Sequence, residues 1–182
     1  MISFSGSPPN NPSPDTLDLS KPIAIFNRLI SKEVSNAAKT LCIEEEELQA
    51  WMDLQLEVPP KTILSLLRTV QDCELDPLKE EVGFTQYEDG HWQVQITVEG
   101  WTHLLNQHPQ FNGVTFAQGE AGSNAIPEWM ECSIYRKDRI FPITVREYFL
   151  EVRTEQSIWQ KMPRRMLRHR ALQQCARLAM GI

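Results

Sequence analysis

The spacing of apolar side chains changes period several times along this chain, and each change marks an element. Ile23, Phe26, Leu29 and Ile30 recur at helical steps, with Ser20 as a capping residue and Pro22 in the first turn. A second helix is predicted from Ile43 to about Leu56. Its acidic run Glu44 to Glu47 falls in the opening turns, where negative charge complements the helix dipole. That run reads as a solvated helix start, with a bound cation or basic neighbour as the sharper alternative. Pro60 opens a third helix in which Ile63, Leu66, Leu67 and Val70 share one side, and Asp76-Pro77 stops it.

The period then falls to two. Val82 and Phe84 alternate with polar neighbours, Asp89-Gly90 is a hairpin turn, and Trp92, Val94, Ile96 and Val98 mark one face of the returning strand. Trp101, Leu104 and Leu105 predict a short helix closed by HPQFNG, Val114 to Gln118 a strand, and Gly119 to Pro127 a loop. WMECSIYR and RIFPITV read as two strands joined at Lys137-Asp138, whereas the stretch from Arg146 to Gln160 carries no single period. Pro163 stands where a missing N–H costs nothing, at the start of a helix that fills the rest of the chain. This order predicts an α+β fold over residues 20–182: N-terminal helices, an antiparallel β-sheet with a β-hairpin, and a long basic C-terminal helix. Residues 1–19, rich in Pro, Ser and Asn, cannot offset the entropy of ordering and are predicted to form a flexible arm.

Composition adds limits. At 182 residues and 41% hydrophobic, the chain can bury a core without staples. Cys42, Cys73, Cys132 and Cys175 form no CxxC pair and no cluster with His91, His103, His108 or His169, which predicts reduced thiols, no metal site and no cofactor. No apolar run approaches the roughly 18 residues that span a bilayer, and Met1 to Pro14 lacks the features of a signal peptide, so a cytoplasmic protein is expected. The formal charge of −6 conceals a division: residues 1–135 carry 7 basic and 20 acidic side chains, residues 136–182 carry 11 and 4. Such segregation concerns partners more than fold.

The last helix concentrates that positive charge. WQKMPRRMLRHRALQQCARLAMGI contains six Lys or Arg and no Asp or Glu. At 100° per residue, Leu167, Ala171, Leu172, Cys175, Ala176, Leu178 and Ala179 form one apolar face, and Arg170 and Arg177 fall together opposite it beside Gln173 and Gln174. Arg164, Arg165 and Arg168, with Lys161 just before them, crowd the first turn, where unpaired N–H groups also favour an anion. A repeating array of phosphates suits this arrangement better than one small anion, because guanidinium groups hold phosphate in bidentate fashion. The plainer reading, a solvated charged face, lacks acidic partners at i+3 or i+4. The turn Tyr135-Arg136-Lys137-Asp138-Arg139 offers a second basic cluster that could form the other wall of a groove. Trp92, Trp101, Trp129, Tyr135 and Trp159 could stack on bases, although burial is the better expectation for each.

The segments LDPLKEEVGF, VEGWTHLLNQHPQFNGVTF, ECSIYRKDRIFPITV and the closing WQKMPRRMLRHRALQQCARLAMGI resemble the RecT family of single-strand annealing proteins over about residues 73–182. The resemblance implies an ATP-independent recombinase of a bacterial or phage-infected cell. Such a protein coats single-stranded DNA, anneals it to a complementary strand and holds the nascent duplex in a ring or helical oligomer, with the long helix lining a DNA-binding groove. By position, Lys137, Arg164, Arg170 and Arg177 fall where the family places cationic DNA contacts, and Lys79 matches a further basic position. Arg139, Lys161, Arg165 and Arg168 join them on charge alone. The family also implies a partner exonuclease and the host single-strand-binding protein, engaged by a C-terminal domain that would follow Ile182. No GxxxxGK loop and no nucleophile or metal-ligand constellation is present, which suits a protein without bond chemistry. Two other classes stay open: a sequence-specific duplex-binding regulator, and a metal-dependent nuclease whose nearest carboxylates would be Glu131 and Asp138.

Overall fold

The computed structural model describes residues 20–121 and 126–181. The arm expected at residues 1–19 lies outside them. Three helices come first, α1 (Ser20–Leu41), α2 (Glu45–Asp53) and α3 (Pro60–Cys73). Val34, Ala37, Leu48, Met52, Leu66, Leu67 and Val70 are buried between them; in α3 these are the positions the sequence spacing marked, whereas in α1 Ile23 and Leu29 are exposed and the core is built further along, from Val34, Ala37 and Ala38. α2 is shorter than its apolar pattern, and Glu44 to Glu47 are all exposed. α3 stops at Cys73, before the Asp-Pro pair, because Glu74 takes a left-handed conformation.

Two antiparallel sheets follow, where the sequence suggested one. β1 (Val82–Gln86) and β2 (Trp92–Ile96) form the hairpin, and its turn needs Gly90 at φ 80°. Val98, predicted on the return strand, instead lies in α4 (Val98–Gln107), since the Thr97 hydroxyl accepts from the Gly100 N–H and caps a helix there. The second sheet has the order β3 (Phe111–Gln118), β4 (Trp129–Arg136), β5 (Ile143–Tyr148). β4 matches its predicted span, and Met130, Cys132 and Ile134 alternate inward from it. β5 starts at Ile143, so Arg139 to Pro142 are not strand as RIFPITV suggested; Pro142 has no N–H to give the ladder. The ambiguous stretch resolves into the end of β5 and two short helices, α5 (Phe149–Val152) and α6 (Ser157–Lys161).

The chain closes with α7 (Pro163–Met180), which lies against β4, β5 and α4. Its buried residues are Leu167, Ala171, Leu172, Cys175, Ala176 and Ala179, joined in the second core by Trp101, Leu105 and Trp159. Leu178 was expected on that face and is exposed instead. Ile96 and Leu104 pack against both cores and join the helical layer to the sheet layer. No described helix is long and apolar enough to cross a membrane.

Candidate nucleic-acid interface

Pro163 opens α7, and no side chain caps its N-terminus. Lys161, Arg164, Arg165, Arg168, Arg170 and Arg177 are all exposed, while the side of α7 that packs on the sheet is apolar. The helix therefore works as a two-sided element, one side spent on the core and the rest left to charge. From Arg164 to Arg177 the band runs about 20 Å at 1.5 Å per residue.

Around the start of α7 the fold leaves a cleft of about 1090 Å³. Its floor is apolar, made by Phe111, Val114 and Phe116 of β3 with Met130, Leu105 and Leu172. Lys161, Arg164, Arg165, Arg168 and His169 line its cationic side, and no carboxylate appears among the lining residues. The Arg168 guanidinium lies 4.2 Å above the Phe116 ring, a cation–π contact that fixes it over the floor. His169 is held below its ordinary value, first by burial and then by Arg165, so the imidazole is neutral at pH 7.

The predicted cations therefore divide among several places. Lys161, Arg164, Arg165 and Arg168 converge on the cleft. Arg170 and Arg177 are absent from its lining and form a ridge on another side of α7, about 10.5 Å apart along the axis. Arg170 reaches Gln173 at 3.4 Å and faces Glu147, whose carboxyl is raised by burial against the opposing pull of Arg170. Lys137 donates from Nζ to the Pro109 carbonyl at 3.1 Å, and its N–H donates to Gln110 at 2.9 Å, which sets it beside the Phe111 end of the floor. Arg139 is exposed in the β4–β5 turn. Lys79 does not line the cleft; it pairs at 2.9 Å with the buried carboxylate of Asp76 in the 3-10 turn Pro77–Lys79.

Two contributors escaped the sequence reading, His169 and the Phe111 and Phe116 floor. Arg165, Arg168, His169 and Leu172 stand at i, i+3, i+4 and i+7, a spacing that marks one side of a helix and is the signal that could have revealed the cleft wall. Arg136, which the sequence placed in the basic turn, instead chelates Asp138 and donates to the Ala179 carbonyl, capping the C-terminal end of α7. Of the aromatic candidates, Trp101 and Trp159 are buried, Trp129 lies under the Arg146 guanidinium at 4.1 Å, Trp92 is half-buried and Tyr135 is exposed. Glu131 and Asp138, the carboxylates nearest to a nuclease reading, are each paired with an arginine, Arg146 at 2.9 Å and Arg136 at 2.7 Å.

A sequence profile of the RecT family matches residues 43–182, most of the chain. The chain belongs to the RecT family. Within this RecT-family chain the match takes in the sheet-layer core, the cleft and the whole cationic band, and the helical core apart from its α1 residues Val34, Ala37 and Ala38. It is also 37% identical over 129 residues to the recombination protein bet of Escherichia phage lambda, an alignment covering 65% of this chain and 46% of that relative. The chain thus spans about half the length of the curated relative it matches.

Proposed function

We propose that this chain binds single-stranded DNA along α7 and anneals complementary strands without ATP in phage-type homologous recombination, acting as a ring or helical oligomer in the cytoplasm. The observation that carries this reading is the band of six exposed cations on and beside one rigid helix, bordered by a cleft that no carboxylate lines. Annealing requires no bond chemistry and no cofactor. It requires that the repulsion between two polyanions be lowered while base edges stay free, and cations fixed on a helix do this without reading sequence. The relative's role as a recombination protein supports the same reading.

The DNA path proposed here takes Lys161, Arg164, Arg165 and Arg168 at the cleft, Arg170 and Arg177 on the ridge, and Lys137 at the far end of the floor. Lys79, spent on Asp76, contributes no more than a peripheral charge to it. A partner exonuclease and the host single-strand-binding protein are proposed as its further partners. The test is annealing of labelled complementary oligonucleotides without ATP, with strand binding followed by fluorescence anisotropy. Arg165→Ala/Arg168→Ala and Arg170→Ala/Arg177→Ala should each weaken single-strand binding about tenfold or more at low salt and slow annealing. Both pairs binding and annealing like the parent, while folded, would refute the assignment.

A further inference from the structure

The connection between β4 and β5 carries two apolar side chains that nothing covers: Ile140 is 92% exposed and Phe141 80%. Adjacent large apolar groups left in water mark a surface meant for contact. The connection between α2 and α3 repeats the feature, with Leu54 77% and Leu56 90% exposed. Charge then distinguishes the two loops. Asp138 is held chiefly by Arg136 and only weakly by Arg139, so the turn Arg136-Lys137-Asp138-Arg139 keeps an excess of positive charge beside the Ile140-Phe141 tip, and Arg139 makes no ion pair within 4 Å among the described residues. Leu54 and Leu56 are bracketed by the exposed carboxylates Asp53 and Glu57, at the C-terminal end of α2, where the helix dipole adds negative potential. One loop presents a cation and two apolar groups; the other presents two apolar groups between anions. Both sets of side chains stand open in the single chain, so they do not meet within one copy.

We propose that these loops are the two halves of a head-to-tail contact between copies of this chain. Ile140 and Phe141 of one copy cover Leu54 and Leu56 of the next, with Arg139 against Asp53 and Glu57. The proposal rests on the oligomeric reading given above and names the surfaces that carry it. Because the two surfaces differ, every added copy leaves one tip and one patch free, and growth continues until a ring closes or a filament forms. Arg139 thereby belongs to the contact between copies rather than to the DNA path.

Sedimentation velocity without DNA, over a range of protein concentrations, tests this. The parent should form a concentration-dependent series of oligomers. Leu56→Asp and Phe141→Asp replace exposed groups and should leave thermal unfolding unchanged, yet each should raise the concentration of half-assembly about tenfold or more. Mixed in equal amounts, the two variants should form a heterodimer and stop, since the intact tip of one meets the intact patch of the other and both remaining ends are blocked. A parent that stays monomeric, variants that assemble like the parent, or a mixture no larger than its components would each overturn the proposal. With no DNA present, a failure of strand binding is read separately, from oligonucleotide anisotropy on the same samples.

Discussion

His169 is the histidine that the fold places on the cationic side of the cleft. Its value is lowered by burial, then by Arg165, with Glu99 opposing and Arg168 adding to the depression. A histidine held neutral in the fold binds a proton less readily than the unfolded chain does. Its stabilisation is therefore fully present above its ordinary value of 6.5 and is lost as pH falls through the lower folded value. The melting temperature of the parent should accordingly fall more between pH 7.5 and pH 5.5 than that of His169→Gln; parallel curves would remove His169 from the pH response. Gly100 shows the same dependence on neighbours in steric form. A Cβ there would lie 2.0 Å from the Glu81 carbonyl oxygen, so only glycine lets α4 approach the start of the hairpin. The burial of His169 and the close approach at Gly100 are both set by residues distant in the chain, although Arg165 and Arg168 beside His169 are legible in its own helix.

At the scale of the element, α7 was the most legible part of the sequence. Pro163 at its start, the apolar positions and the lack of acids predicted a helix with one side committed to packing, and that is its form. Leu178 broke the pattern because helical angle alone does not say where the underlying sheet ends. Leu167 is buried and Leu178 is 67% exposed, so Leu167→Ala should cost about 2–5 kcal/mol and Leu178→Ala about 0.5 kcal/mol or less, measured by urea unfolding. Comparable losses at both sites would mean that Leu178 is covered in solution. The same limit explains RIFPITV: its apolar residues resemble a strand, but Ile140 and Phe141 have no sheet beneath them and Pro142 cannot donate to one.

Across the whole molecule, the charge division of the sequence becomes a division of surfaces. The cationic band of α7 belongs to the sheet layer, and the exposed acids of α2 belong to the helical layer. If the six cations on and beside α7 each neutralise one phosphate, single-strand binding should follow a log–log salt slope of roughly −4, and either double alanine variant should reduce its magnitude by about 1.4. A slope near zero in a salt titration would mean that binding does not run through these charges. The sequence alone determined the element order outside the residue 146–160 stretch, the α+β class, the apolar side of α7 and the location of the positive charge. These depend on local periodicity and on the count of side chains. Tertiary structure alone decided that the strands divide into two sheets, that Lys161, Arg164, Arg165 and Arg168 share one cleft with an apolar floor, and that Arg136 and Lys79 hold neighbouring groups in place. Those outcomes depend on which distant residues meet, and a one-dimensional pattern of polarity does not encode the distances between them.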